Sequence, residues 1–145
     1  MNNQALDLTK DVPRSPRAVL AGYVVAGRML DKCRAVIAGT NGDYHFDCPL
    51  DNIFLEFTGI PADAFKSFVE TGADDETVAN WIQENAKEHT KEEIVLWNND
   101  LRYKRMSELP ADIQVFLEGY IEKFIPTDRV IYHWFDLYDI EEGRL

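Results

Sequence analysis

The stretch Ile113-Gln114-Val115-Phe116-Leu117-Glu118-Gly119-Tyr120-Ile121-Glu122-Lys123-Phe124-Ile125-Pro126 decides the fold class. Ile113, Phe116, Leu117, Tyr120, Ile121 and Phe124 recur at three- and four-residue intervals, the spacing that lines one side of an α-helix, and Pro126 closes the pattern. On this register Phe116, Leu117 and Tyr120 belong to the core. Downstream, Thr127 reads as the cap of a last helix carrying Ile131, Trp134, Phe135 and Tyr138, with Trp134 buried. The apolar run Val130–Phe135 also leaves room for a short strand.

Working upstream, the same punctuation repeats. Thr90-Lys91-Glu92-Glu93 has the form of a capping box, in which hydroxyl and carboxylate satisfy orphan amides reciprocally. Asp74 or Asp75 caps a helix bearing Val78, Trp81 and Ile82. Pro61 opens a short one with Phe65, Phe68 and Val69, and Cys48-Pro49 opens another with Leu50, Ile53, Phe54 and Phe57 inward, ended by Gly59. Ser15-Pro16 reads as N-cap and first residue of a helix with Val19, Leu20, Tyr23 and Val24 on one face. Gly27 interrupts it, and Leu30, Cys33, Val36 and Ile37 continue to Gly39. Asn41-Gly42 is a turn signal whose alternative is a small hairpin pairing 35–40 with 43–46. The expectation is all-α: one domain over 1–145 of six or seven short helices in an orthogonal array, with residues 1–12 as a candidate extended arm.

Composition bounds the function. The 145 residues carry 46% hydrophobic and 28% charged side chains, the balance of a globular chain. The two cysteines, Cys33 and Cys48, are too few for a disulfide scaffold and read as thiols of a reducing compartment. The N-terminus lacks the apolar core of a secretory signal, and the longest uncharged stretch, 18–27, is far short of a membrane span, so the expected location is the cytoplasm. The formal charge of −11 is uneven: six basic and three acidic residues in 1–42, three against fourteen in 43–100, six against nine in 101–145. Nucleic acid is excluded as a partner of such a surface, and so is a membrane.

Two constellations could carry chemistry. In Tyr44-His45-Phe46-Asp47-Cys48-Pro49-Leu50-Asp51, Cys48 as N-cap sits at the positive end of a helix dipole, with His45 as base or cation and Asp51 in the first turn. The plainer alternative is a small buried Cys48, a loop His45 and an Asp51 that stabilises the dipole, and it is favoured. Cys33, His45 and Cys48 as zinc ligands match no standard spacing, so no metal and no cofactor is expected. The second constellation is Arg14, Arg17, Arg28 and Lys32 near helix starts, suited to a small anionic ligand or to a protein partner. Its plainer alternative is pairing with the acidic middle of the same chain. A ligand- or protein-binding module with an anion-accepting basic surface is therefore the first reading. A thiol-dependent enzyme or metal site centred on Cys48 and His45 is the second.

Three blocks, Leu8-Thr9-Lys10-Asp11-Val12-Pro13-Arg14-Ser15-Pro16-Arg17, Arg28-Met29-Leu30-Asp31-Lys32-Cys33-Arg34-Ala35 and Gly39-Thr40-Asn41-Gly42-Asp43-Tyr44-His45-Phe46-Asp47-Cys48-Pro49-Leu50-Asp51, resemble a bacterial family known only as a domain of unknown function. The resemblance extends over nearly the whole chain. It implies a small stand-alone bacterial protein and brings no activity, cofactor or catalytic residue with it.

Overall fold

The computed structural model describes residues 4–145, and Met1–Asn3 of the candidate arm lie outside the described residues. The protein is all-α. Among the described residues seven helices run in the order α1 Ala26–Ala38, α2 Pro49–Thr58, α3 Ala62–Val69, α4 Asp75–Asn85, α5 Lys91–Arg102, α6 Ala111–Phe124 and α7 Trp134–Glu141, with a 3-10 turn at Met106–Glu108. The chain divides into two compact units, up to Ile94 and from Val95 onward.

In the first unit α1 packs on α2 and α3. Its core includes Val24, Met29, Leu30, Phe54, Phe65, Val69, Val78 and Ile82, all fully buried. The sequence punctuation appears as physical caps. Asp74 accepts from the Thr77 amide at 2.8 Å, the Thr90 amide donates to Glu93 at 2.8 Å, and the Glu93 amide donates to Thr90 Oγ1 at 3.1 Å. Gly39 and Gly59 end α1 and α2 in left-handed conformations.

The segment 15–24 is not the expected helix. Leu20 and Tyr23 exchange backbone hydrogen bonds of 3.0 and 2.9 Å around Ala21 and Gly22, at φ 56° and 91°. Two positive φ values in the centre of a two-residue turn give the primed geometry of tight hairpins, which glycine at the second position permits. The chain then enters α1 through Val25 at φ 73°, a conformation rare for a β-branched residue. The Val25 amide donates to Pro16 O at 2.8 Å, and the residue is fully buried, so surrounding packing holds it there.

The small hairpin considered near Asn41-Gly42 does not form either. Residues 35–38 complete α1, so no strand is left on that side, and the Tyr44 amide closes a turn on Asn41 O at 2.9 Å. Gly42, at φ 53°, passes so close to Leu8 that an added Cβ would lie 2.9 Å from its carbonyl oxygen. The Leu8 amide donates to Thr40 O at 2.8 Å and Thr40 Oγ1 donates to Leu6 O at 2.8 Å, which ties residues 6–8 to the end of α1.

In the second unit the Met106 amide donates to Tyr132 O and the Trp134 amide to Lys104 O, at 2.8 and 2.9 Å, around an isolated antiparallel bridge between Arg105 and His133. Thr127 does not cap the last helix. His133 occupies the N-cap position, with no capping hydrogen bond from its side chain, and 127–132 is turn and extended chain, because those backbone bonds commit it to 104–106. Leu117 and Trp134 are buried as expected. Phe116 is 70% exposed and Tyr120 only half-buried. Leu117 is the one buried residue of α6 and sits about 100° round the helix from Phe116, which therefore faces away.

Candidate functional site

Every residue of α1 from Ala26 to Ala35 is buried, although Arg28, Asp31, Lys32 and Arg34 are charged. Burying a charge is costly without a partner, so the partners of these four side chains define the polar interior of the first unit.

Asp31 turns toward the N-terminal segment. It accepts from the Arg14 amide at 2.8 Å and from the Arg14 guanidinium at 3.1 and 3.0 Å. Arg14 also reaches Asp75 at the start of α4, 3.0 Å away. Gly27 makes room, since a Cβ there would lie 3.3 Å from Arg14 Nε. Arg34 joins the same network through Asp75 at 2.8 Å, Gln4 Oε1 at 2.9 Å and Ala73 O at 3.0 Å, while its Nε has no hydrogen-bond acceptor among the described residues. Burial pushes the Asp75 carboxyl up, but Arg34 and Arg14 outweigh it and hold the group below its ordinary value. A surface hollow of about 580 Å³ opens over Arg14, Asp31, Arg34 and Asp75. Arg28 lies in a different setting, donating to Arg14 O at 3.2 Å with its guanidinium 5.6 Å from the centre of the Tyr44 ring. Arg17 is half-buried, its amide donating to Ser15 Oγ at 3.1 Å.

Lys32 points toward α2. Its Nζ lies 2.9 Å from Asp51 Oδ1 and donates to Cys48 Sγ at 3.2 Å. The lysine side chain is 4% exposed and that of Asp51 0%, so both ends of this ion pair are desolvated. Oδ1 has no hydrogen bond of good direction, which makes its contact with Lys32 chiefly Coulombic. Asp51 Oδ2 accepts the Asp47 amide at 3.0 Å. Asp47 has φ 66° and is held from outside by the Asn52 side chain, which donates to Asp47 O, Asp47 Oδ1 and Cys48 O. This strained residue sets the direction in which Cys48 enters α2. Cys48 is its N-cap, with Pro49 next, and the residue is half-buried.

The structure thus joins residues drawn from two separate sequence constellations: Lys32 from the basic set with Cys48 and Asp51 from the thiol set. His45 is exposed and makes no hydrogen bond or ion pair with another described residue. Cys33, His45 and Cys48 are not gathered: Cys33 is fully buried on α1, Cys48 half-buried and His45 exposed. Among the described residues no three His, Cys, Asp or Glu side chains are arranged to hold a metal ion.

Cys33 itself is held in the thiol form. Burial pushes its pKa from 9.0 to about 12. Because the folded value is the higher, the neutral thiol stabilises the fold below pH 9, and that contribution is lost as pH rises toward 12. Across that window the group is expected to remove on the order of 1 kcal/mol of stability per pH unit. Urea melts of the native chain and of Cys33→Ala at successive alkaline pH values check this. Equal pH slopes would mean that Cys33 contributes nothing to the alkaline limb.

No helix among the described residues is long and apolar enough to cross a membrane. None of the curated proteins compared matches the chain. The family model described as "Domain of unknown function (DUF5069)" matches residues 10–144, a span that contains Arg14, the whole of α1, and the Cys48–Asp51 turn. The chain belongs to this family.

Proposed function

We propose that the protein acts through Cys48 as a reactive thiol toward small electrophiles, peroxides foremost, with Lys32 as its proton donor and Asp51 as the counter-charge that keeps Lys32 in place. One observation carries the reading: a buried lysine donates to the sulfur of a half-buried cysteine at 3.2 Å. Thiolates are the nucleophilic form of cysteine and are favoured by neighbouring cations and helix N-termini. In this arrangement Sγ attacks the electrophile and the Lys32 ammonium protonates the departing atom. The reducing cytoplasm, expected from two unpaired cysteines, suits such a group. An anion-accepting surface of Arg14, Arg17, Arg28 and Lys32 is less well supported, because Asp31 and Asp75 already take Arg14 and Asp51 takes Lys32.

The test is the rate of iodoacetamide alkylation against pH. Cys48 is expected to react in the folded protein at neutral pH while Cys33 does not. Lys32→Met combined with Asp51→Leu, which removes the ion pair without stranding a charge, is expected to slow Cys48 about tenfold, the worth of one charge-assisted hydrogen bond. His45→Ala should leave the rate unchanged. A Cys48 inert until the protein unfolds would overturn the reading.

A further inference from the structure

We infer that Lys32 and Cys48 form an oxidant-driven covalent switch, a sulfenamide cross-link between α1 and the start of α2. The inference rests on the reactive-thiol reading and adds to it the fate of the oxidised sulfur. Lys32 Nζ already donates to that sulfur at 3.2 Å, and among the described residues its other polar partner is Asp51 at 2.9 Å. The second cysteine is no rival. Cys33 is fully buried, and its thiol is held protonated by that burial, so it is a poor resolving group.

The chemistry balances with one equivalent of a peroxide as oxidant. The Cys48 thiolate attacks a peroxide oxygen; an S–O bond forms and the O–O bond breaks. The Lys32 ammonium gives its proton to the departing hydroxide, so the products are sulfenic acid, water and a neutral amine. That amine, now carrying a free electron pair beside an electrophilic sulfur, attacks Sγ. An S–N bond forms, the S–O bond breaks, and the hydroxyl leaves as a second water with a proton from nitrogen. Sulfur has lost two electrons and the peroxide has gained them. Sulfenic acids condense with nitrogen to sulfenamides in this way when one is held against them. Two equivalents of a thiol reductant reverse the change, returning thiol and amine and leaving the reductant as its disulfide.

The cross-link also alters the fold locally. A sulfenamide nitrogen does not hold the positive charge of an ammonium, so Asp51, fully buried, loses its counter-ion. Asp51 is what accepts the amide of Asp47 in its left-handed conformation, so the 47–51 turn is the part that the switch loosens.

The experiment treats the full-length chain with hydrogen peroxide and maps the digest by mass spectrometry without reductant. The expected product joins the Lys32 and Cys48 peptides, lighter than their sum by two hydrogens, with cleavage after Lys32 lost and the link reversed by dithiothreitol. It should persist in Cys33→Ser and be absent from Cys48→Ser and from the Lys32→Met, Asp51→Leu double variant. Amide exchange at Asp47 should quicken on oxidation. Sulfenic or sulfinic acid accumulating on Cys48 without a link would overturn the switch while leaving the reactive thiol intact. A Cys33–Cys48 disulfide would overturn it as well. An unmodified Cys48 would overturn the switch and the thiol reading together.

Discussion

Asp51→Ala is expected to cost about 3–5 kcal/mol of folding stability, the range for stripping one partner from a buried ion pair. The carboxylate is fully buried and Lys32 nearly so. Removing it leaves an ammonium in a low-dielectric interior with the Cys48 sulfur as its remaining polar partner among the described residues. The Asp47 amide loses its acceptor at the same time, and Asp47 is a residue whose positive φ needs outside support. Lys32→Met alone should cost a similar amount, since it strands the carboxylate. The two effects must not add. Lys32→Met with Asp51→Leu replaces the pair by apolar groups of similar size, a change that is often neutral or stabilising. Urea melts of the four proteins at neutral pH form the cycle. A double variant that loses the sum of the two single losses would show that Lys32 and Asp51 are independent, and a single loss below about 1 kcal/mol would place the pair in the class of weakly coupled surface charges.

That pair also marks where the sequence stopped being readable. Cys48-Pro49 announces the start of α2, Gly59 its end, and Thr90 to Glu93 the start of α5, because caps and proline act on their immediate neighbours. Asp51 three residues into a helix has an equally good local explanation as a dipole partner, and nothing local says that its side chain is buried. The same holds for α1. Its apolar stripe is visible, but Arg28, Asp31, Lys32 and Arg34 look like a solvated face until each is matched with a partner 14 to 41 residues away. The contact of Lys32 with Cys48 spans 16 residues and two helices, whereas proximity in sequence points to His45. In 15–24 the helical stripe was real as a pattern, yet Ala21-Gly22 turns the chain back on itself, and periodicity does not register a two-residue reversal.

The second unit supplies the other large effect, as a contrast between two phenylalanines. Phe135→Ala is expected to cost about 3–5 kcal/mol, the usual range for deleting a buried aromatic ring and leaving a cavity. Phe135 is 0% exposed and lies against Trp134, ring centres 5.8 Å apart, with Leu137 buried beside it in α7. Phe116→Ala should cost less than about 1 kcal/mol, because a side chain that is 70% exposed gives up little contact. From periodicity alone Phe116 is the stronger core candidate, since it lies in the middle of the longest stripe in the chain. The comparison therefore tests the position of α6 directly. Tyr120 donates its hydroxyl to Glu141 of α7, and Leu117 is buried one position round the helix from Phe116; together they fix which side of α6 faces inward. Tryptophan fluorescence and far-ultraviolet circular dichroism during urea unfolding read both variants. If Phe116→Ala loses as much as Phe135→Ala, α6 is rotated by about one residue, 100° round its axis, and the apolar stripe faces the interior after all.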